Sequence, residues 1–457
     1  MSVLSELPKR LKAGIRKYEV PGASIAVLRG GRVTGSAAAG VINLDTRVPA
    51  TVDTVFQIGS ITKPMTTTLV MSLVDEGLIE LDAPVQRYLP DFRVADLLVS
   101  REVTVRDCLT HRSGIDGDFF VDAGRGEDAP AKLLKMGTVL PSLFPIGAKH
   151  SYCNFGFVVL GEIIARVTGM SWDDAMRTRL FEPLGMSHAL TLPGDTLRFR
   201  SAVGHVPSTR KKGTWYVTRQ PYLSLGQGAA GATPAMSVTD LLLFARMHMD
   251  GGRNAKGDKV LSARSVKAMQ TRQIALQKHA RNGITHWGLG WFLMDWHGKR
   301  LYGHDGATLG QFSFLRIVPE KNLAVAMLTN GGDAQGLYQE MFGTLMPALA
   351  RVSEPQIPDP DPSLRLDLSR YEGSYANING TYTFAQKGGE LRGNFRPNGA
   401  EQDAPPLNAK LAFVDRQTAV LRTGDPVVDR TVFLFSDLAD DRYRYVCMGS
   451  RQYRRTG

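Results

Sequence analysis

The chain of 457 residues has a net charge of +11, with 43% hydrophobic and 22% charged residues. These proportions indicate a globular protein of two or three domains and exclude a disordered or fibrous chain. No run of about 18 apolar residues occurs, so we predict no membrane span, and the first twenty residues hold no apolar segment of signal-peptide length.

Cysteine content and charge distribution exclude several further classes. Cys108, Cys153 and Cys447 are far apart and odd in number, so we expect neither a disulfide framework nor a zinc site, and a cytoplasmic location. We also expect no metal ion and no cofactor. Basic residues cluster at Arg210–Lys212 and Arg451–Arg455, but they form no extended basic stripe with interleaved aromatic residues and no nucleic-acid motif. We therefore expect solvated surface and no nucleic-acid partner, with a mild preference for anionic substrates as the alternative.

The chain begins with a predicted helix and hairpin. Apolar residues recur at helical spacing over residues 3–18, which predicts an amphipathic helix. A buried strand over residues 23–28, the turn Gly30–Gly31 and a partner strand over residues 32–40 follow. This order predicts an antiparallel sheet with helices packed on it.

The stretch Gln57–Lys63 begins a long apolar helix and places Ser60 three residues before Lys63. Residues three apart share a helix face, so the Ser60 hydroxyl and the Lys63 amine can meet. An alcohol needs a base within hydrogen-bond reach, and a lysine acts as that base only where burial or positive charge lowers its pKa. The stretch predicts an enclosed nucleophile and base, although Ser-x-x-Lys also occurs by chance on surface helices.

The middle of the chain predicts helices separated by long connections. One helical pattern closes at Leu109–Gly114, and residues 115–145 look irregular and are expected to border a cleft. The triplet Tyr152-Cys153-Asn154 directly precedes an apolar helix over residues 155–168. Further predictions are the turn Glu182–Met186 after a helix, a Gly- and Pro-rich loop over 206–235, and a helix over 240–248.

Two short motifs in this and the following region admit both chemical and structural interpretations. Tyr152 offers a phenol that relays a proton and Asn154 an amide that holds a carbonyl group, but a half-buried tyrosine and a helix-capping asparagine explain them as well. His304-Asp305-Gly306 lies at a predicted strand start. A structural histidine followed by an Asp-Gly turn explains this triplet without chemistry.

The last third of the chain changes character at a proline-rich segment. Strands are predicted over 287–292, 301–303, 310–318 and 323–329, and a closing helix over 336–351. The prolines of residues 354–362 predict a semi-rigid linker. Seven short predicted strands after it indicate a small all-β domain, sandwich or barrel. We therefore divide the chain into residues 1–351, a linker over 352–365, and residues 366–457.

The motifs together resemble those of a known superfamily. Ser-x-x-Lys, Tyr-x-Asn and a basic-x-Gly triplet are the signature of penicillin-recognising serine enzymes. The segments Leu109–Gly114 and Phe181–Met186 resemble the branch of class C β-lactamases, D-aminopeptidases and related esterases. The resemblance spans residues from about 10 to 350 and implies an α/β (α+β) fold, with an antiparallel sheet flanked by helices and a helical region. Residues 366–457 resemble the lipocalin-like β-barrel of several such peptidases and of penicillin-binding-protein-type thioesterases, which release and cyclise nonribosomal peptides.

The resemblance implies catalytic roles for the motif side chains. Ser60 would be the acylated nucleophile and Lys63 its general base, while Tyr152 would share the proton transfer to the leaving group. Asn154 would orient Lys63 and the substrate. Cys153 stands between them where serine or alanine is commoner, and we expect it to be tolerated and not catalytic.

The same resemblance implies how the substrate is bound. The backbone N–H groups of Ser60 and Ala307 would form the oxyanion hole, and Gly306 would belong to the substrate-binding strand. His304 stands where β-lactamases carry a lysine that helps to bind the drug's carboxylate. We therefore expect poor β-lactam recognition and a site closer to the esterase and aminopeptidase members.

Three functions remain open from the sequence. The first is a serine hydrolase of esters or small peptide amides, and the second is an acyltransferase or peptide cyclase in which an amine resolves the acyl-enzyme. The third is a non-catalytic penicillin-binding sensor, which we disfavour because such sensors usually hang on a membrane span and all five motif side chains are present. The C-terminal domain is expected to shape the pocket and to supply no nucleophile or base.

Overall fold

The computed structural model describes residues 3–208, 213–277, 283–398, 407–423 and 431–457, so the basic cluster Arg210–Lys212 lies outside the described residues. The helices are α1 Leu7–Lys17, α2 Thr62–Asp75, α3 Leu97–Glu102, α4 Val105–Leu109, α5 Ala129–Met136, α6 Asn154–Thr168, α7 Trp172–Met176, α8 Glu182–Leu184, α9 Val238–Met249, α10 Ala263–Met269 and α11 Ala334–Ala350.

An eight-stranded antiparallel sheet forms the centre of the N-terminal part. In spatial order its strands are β2 Arg32–Gly40, β1 Gly22–Arg29, β13 Leu323–Thr329, β12 Phe312–Val318, β11 Lys299–Ala307, β10 Phe292–Trp296, β9 Ile284–Trp287 and β8 Ile274–Ala275. Smaller sheets are formed by β3 Phe56–Gln57, β7 Ala235–Met236 and β4 Ala189–Leu190, and by β5 His205–Pro207 and β6 Trp215–Val217.

Helices cover both faces of the large sheet. Side chains of a strand alternate between faces, so Ile25 and Val27 of β1 pack against α1 and α11, whereas Ala26 and Leu28 join the core on the opposite face, to which α2, α6 and α9 contribute. This burial on two sides explains why β1 reads as a continuous apolar run. The predicted sheet flanked by helices is confirmed.

The C-terminal part is a closed antiparallel barrel in which sequential strands are neighbours, so the predicted all-β domain is a barrel. Its strands are β14 Gly373–Asn377, β15 Gly380–Lys387, β16 Glu390–Pro397, β17 Leu407–Phe413, β18 Thr418–Arg422, β19 Val432–Ala439, β20 Arg442–Met448 and β21 Arg451–Arg455. The sequence indicated seven of these eight strands. It missed β21, because three of its five residues are arginines and such a segment is typical of a solvated basic cluster.

Several predicted elements differ from the structure. Residues 287–292 are not one strand, because Gly288–Trp291 connect β9 to β10 and bury Leu289 and Trp291 in the core. The segment 115–145, expected to be irregular, contains α5 with a proline in its first turn. The loop over 206–235 contains short strands and a 3₁₀ segment at Leu225–Ala230.

Within the described ranges, no single helix combines the length and the apolar composition that a membrane crossing requires. The segments Asn154–Thr168 and Trp172–Leu184 meet both criteria only when counted together, and they are bent by 81° relative to each other.

Candidate active site

Ser60 lies in a short 3₁₀ turn, Gly59–Ile61, that leads directly into α2. The turn depends on Gly59, whose φ of +52° is a conformation that other residues rarely adopt. A Cβ atom on Gly59 would also lie 2.4 Å from the Ala307 nitrogen. The glycine thus lets the Ser60 backbone pack directly against the end of β11.

The Lys63 side chain is fully buried one turn after Ser60, as the sequence required of a lysine base. Its Nζ atom lies 3.1 Å from Ser60 Oγ, 2.6 Å from Asn154 Oδ1 and 2.6 Å from the carbonyl oxygen of Ala230. Three separate parts of the chain therefore meet at this amine.

These contacts decide how a neutral Lys63 is oriented. A neutral amine has two N–H groups and one lone pair, and the oxygens of Asn154 and Ala230 only accept hydrogen bonds. The two N–H groups therefore point at those oxygens. The lone pair is left for the Ser60 hydroxyl, which donates its hydrogen to Lys63, the arrangement a general base needs.

The electrostatic environment favours the neutral amine. Burial lowers the pKa of Lys63 well below its ordinary value; the Asp118 carboxylate opposes this shift and the Arg451 guanidinium adds to it. Asp118 and Arg451 were not among the residues predicted for the site.

Asp118 fixes the orientation of the Asn154 amide. Asn154 Nδ2 donates to Asp118 Oδ1 at 2.5 Å, so its carbonyl oxygen must face Lys63. Cys153, rather than Asn154, caps α6 by accepting a hydrogen bond from the Gly156 N–H. The helix-capping interpretation of Asn154 is therefore wrong.

Tyr152 is packed between the His111 ring and the Lys63 amine. It is 8% exposed, its ring stacks on His111 with centroids 4.3 Å apart, and Lys63 Nζ lies 4.7 Å from its centre. Burial raises the pKa of Tyr152, and the neighbouring Ser60 hydroxyl opposes the rise. Tyr152 is thus a neutral phenol next to the predicted nucleophile.

His111 connects Tyr152 to the Leu109–Gly114 segment. Its Nδ1 accepts a 3.0 Å hydrogen bond from the Cys153 N–H, so the ring hydrogen is on Nε2. Burial holds the pKa of His111 well below its usual value. The sequence flagged this segment only as a family resemblance and gave His111 no role; the structure shows that it positions the Tyr152–Asn154 stretch.

His304 lies inside β11, not at the start of a strand. Its Nδ1 is 2.6 Å from the carbonyl oxygen of Asp305, which only accepts, so Nδ1 is protonated and Nε2 is an acceptor. Nε2 is buried and has no hydrogen-bond partner among the described residues. Burial and then the nearby Lys63 keep the pKa of His304 well below its usual value, so the ring is neutral.

The end of β11 packs directly on the Ser60 turn. A Cβ atom on Gly306 would lie 1.9 Å from the Ile58 carbonyl oxygen, and Ser313 Oγ on β12 donates to the same oxygen at 2.6 Å. The backbones of Ser60 and Ala307, the pair expected to form the oxyanion hole, are therefore neighbours. All the predicted site residues lie in this one region.

The barrel also reaches this region, which the sequence did not predict in detail. The Ser450 carbonyl oxygen accepts from the Tyr152 N–H at 2.8 Å, and the Arg451 guanidinium lies 4.8 Å from the centre of the Tyr152 ring. Arg451 also forms an ion pair with the buried Asp118. The expectation of solvated surface is therefore wrong for Arg451.

The chain is similar in sequence to a known family and to individual proteins. The family described as Beta-lactamase matches residues 7–343. The chain is 40% identical to Penicillin-binding protein 4 of Amycolatopsis lactamdurans over 81% of this chain and 97% of that protein. It is 28% identical to a D-aminopeptidase of Brucella anthropi over 67% of this chain and 55% of that protein.

Solved structures extend the similarity to the barrel. The structure is similar to SurE, with a TM-score of 0.79, 26% identity and 99% of each chain covered, and to SurE with D-Leu, with a TM-score of 0.78. An octameric penicillin-binding protein homologue from Pyrococcus abyssi matches over 99% of each chain with a TM-score of 0.68, and its 22% identity supports the shared fold alone.

Proposed function

We propose that this chain, which belongs to the Beta-lactamase family, cleaves esters or peptide amides through a covalent acyl-enzyme on Ser60. Its serine hydrolase relatives share the fold of that family, which supports the proposal. The observation that carries this proposal is the geometry of Lys63. The amine is fully buried and lies 2.6 Å from two carbonyl oxygens and 3.1 Å from Ser60 Oγ, so that a neutral Lys63 directs its two N–H groups at the carbonyl oxygens and its lone pair at Ser60.

Acylation follows from this geometry. Lys63 takes the hydroxyl proton while Ser60 Oγ forms a bond to the carbonyl carbon of the substrate. The resulting oxyanion is held by the backbone N–H groups of Ser60 and Ala307. The scissile bond then breaks, and the leaving group receives a proton from Lys63 or through Tyr152. Water, activated by the same base, releases the acid and regenerates Ser60.

We propose that the substrates contain a D-configured residue beside the bond that is cleaved. Support comes from two independent relatives: a D-aminopeptidase in sequence, and SurE, which has been solved with D-Leu. The neutral His304 supports cleavage of an ester or amide more generally, because an uncharged imidazole offers no charge to attract a free carboxylate.

A second candidate is a peptide cyclase or other acyltransferase, in which an amine replaces water in the second step. The observation that favours it is the position of the barrel, whose Ser450 and Arg451 contact Tyr152 beside the nucleophile. A wall at this place would hold a long acyl chain and exclude bulk water. In both cases we propose that the enzyme acts in the cytoplasm, as the cysteine content predicts.

The first experiment tests covalent chemistry at Ser60. A fluorophosphonate probe is expected to label the wild-type protein, and Ser60→Ala is expected to abolish labelling. Ser187→Ala, a control at an exposed serine, keeps it. Labelling that survives in Ser60→Ala overturns the assignment of the nucleophile.

The second experiment assigns the reaction. Matched thioesters of a peptide with a free amino terminus, ending in a D- or an L-residue, are followed by mass spectrometry. A hydrolase yields the linear acid and a cyclase yields a product lighter by one water. Equal rates for the two stereoisomers would contradict the D-residue proposal, and acylation without turnover of any substrate would indicate a sensor.

A further inference from the structure

Two turns of the barrel hold the loop that precedes α5. In the turn between β14 and β15, the Ile378 N–H donates to Asp116 Oδ2 at 2.7 Å and Asn379 Nδ2 donates to Asp118 Oδ2 at 3.2 Å. Arg451, which follows the turn between β20 and β21, donates through Nε to the same Asp118 oxygen. The barrel therefore contributes two of the groups that bind Asp118.

Asp118 has both of its oxygens occupied in a buried position. Its side chain is 5% exposed; Oδ1 accepts from Asn154, and Oδ2 accepts from Arg451 and Asn379. A buried carboxylate without a cation is strongly unfavourable, and Arg451 is the cation that pairs with it here. The position of the Asp118 carboxylate, and with it the position of Asn154, therefore depends in part on a residue of the barrel.

These contacts form one continuous connection from the barrel to the nucleophile. Arg451 contacts Asp118, Asp118 accepts from the Asn154 amide, and the amide oxygen accepts from Lys63. The hydrogen bonds of the two intermediate groups have a fixed direction. The Asp118 carboxylate only accepts, so the Asn154 amide must turn its N–H groups toward Asp118 and its oxygen toward Lys63. Reversing the Asn154 amide would place its N–H groups against Lys63 and its oxygen against the carboxylate.

We propose that Arg451 is a positioning residue for the acylation of Ser60: by pairing with Asp118 it holds the Asn154 amide in the orientation that turns the Lys63 lone pair toward the nucleophile. This inference rests on the proposed acyl-enzyme at Ser60. It makes the barrel part of the acylation machinery, although the barrel supplies no group that reacts.

Arg451 has an electrostatic effect in addition to this geometric one. Asp118 and Cys153 favour the charged form of Lys63 and Arg451 disfavours it. The other titratable groups around the site include Tyr152, His111, His150 and His304, and Asp116, whose pKa burial raises to about 7. Without Arg451, the negative charge of Asp118 is no longer offset by its ion-pair partner, so the pKa of Lys63 rises. At a given pH, fewer molecules then carry the neutral amine that acts as the base.

The test compares the pH dependence of Ser60 labelling in four full-length variants. The rate constant of fluorophosphonate labelling is measured for Arg451→Gln, Arg451→Lys, Asp118→Asn and, as control, Arg454→Gln on the same strand. Arg454 is exposed, so the control matches the loss of charge without touching the site. An Asp116→Asn variant identifies the part of the profile that belongs to Asp116.

We expect Arg451→Gln to move the rising limb of the profile to higher pH, with about a tenfold loss of rate at neutral pH for each unit of displacement. Arg451→Lys retains the charge and keeps the limb near its wild-type position. Asp118→Asn, which removes the carboxylate and leaves the cation, moves the limb to lower pH. Arg454→Gln behaves as the wild type does.

A purely structural anchor gives a different result. If Arg451→Gln lowers the rate by the same factor at every pH, or leaves it unchanged, the proposal is overturned. If Arg451→Gln does not fold, Asp118→Asn decides, because a limb that stays in place or moves to higher pH contradicts the proposal. Failure of the proposed function would appear elsewhere, as wild-type protein that is not labelled at Ser60.

Discussion

The amine of Lys63 donates a 2.6 Å hydrogen bond to Oδ1 of Asn154, a residue that lies 91 positions further along the chain. The same amine donates to the carbonyl oxygen of Ala230 at 2.6 Å. Helix α2, the start of α6 and the loop before β7 are therefore fastened together at one nitrogen. Both partners only accept hydrogen bonds, so a neutral Lys63 would spend its two N–H groups on them and keep its lone pair for Ser60.

Lys63→Arg tests that dependence. Arginine does not lose its proton at working pH, so we expect a loss of at least about a thousandfold in the rate of Ser60 acylation, near 4 kcal/mol. Stopped-flow measurement with an activated ester gives this rate. Lys132→Arg, an exposed lysine paired with Asp128, is the matched control. A loss below about tenfold would mean that Tyr152 supplies the base.

Gly306→Ala tests the contact between β11 and the Ser60 turn. The added methyl group would lie 1.9 Å from the Ile58 carbonyl oxygen, so the turn must move away from Ala307. We expect acylation to slow at least about tenfold and the free energy of unfolding to fall by about 1–3 kcal/mol. Urea unfolding and ester turnover measure the two effects.

Gly343→Ala in α11 is the control for this substitution, because its methyl group would meet nothing within 4 Å and alanine favours a helix. It should leave turnover unchanged and not destabilise the protein. Full activity in Gly306→Ala would show that the backbones of Ser60 and Ala307 need not be close.

We expect the protein to be a poor β-lactamase. Burial and Lys63 keep the pKa of His304 well below its usual value, so no cation at this position attracts the carboxylate of the drug. Turnover of a chromogenic cephalosporin should be at least about tenfold slower than that of a short-chain ester on the same preparation. Faster turnover of the cephalosporin would refute this interpretation of His304.

His248 should make the protein less stable in mild acid. It is buried between Phe244 and Trp291, and burial lowers its pKa to about 3. In the unfolded chain His248 binds a proton near pH 6.5, whereas in the native state it stays neutral down to a much lower pH. The free energy of unfolding is therefore highest above about pH 6.5 and decreases as the pH falls. From pH 7 to pH 5, the loss from this one group is about 2 kcal/mol.

His248→Gln should remove that part of the pH dependence, whatever it does to stability at pH 7. Urea unfolding at the two pH values gives the difference directly. His297→Gln, at an exposed histidine, should leave the difference as in the wild type. An unchanged pH dependence in His248→Gln would show that His248 is accessible to protons in the native state.

The sequence predicted the site best where the functional residues are close together in the chain. Ser60 and Lys63 are three residues apart where a 3₁₀ turn leads into α2, and Tyr152 and Asn154 lie on either side of Cys153 at the start of α6, so local spacing identified both pairs. The barrel followed from short alternating strands behind a proline-rich linker. Its last strand, Arg451–Arg455, did not, because three arginines in five residues are typical of solvated surface.

By itself the sequence determined the family resemblance, the sheet flanked by helices, the barrel and the residues of the three motifs, because each rests on local periodicity or spacing. The tertiary structure decided the rest of the site. Arg451 resembles a surface arginine until its partner is known, and that partner, Asp118, lies 333 positions away. The Ala230 carbonyl and His111 were equally hidden. A buried charge or acceptor is defined by what surrounds it, and only the packing of distant segments supplies those surroundings.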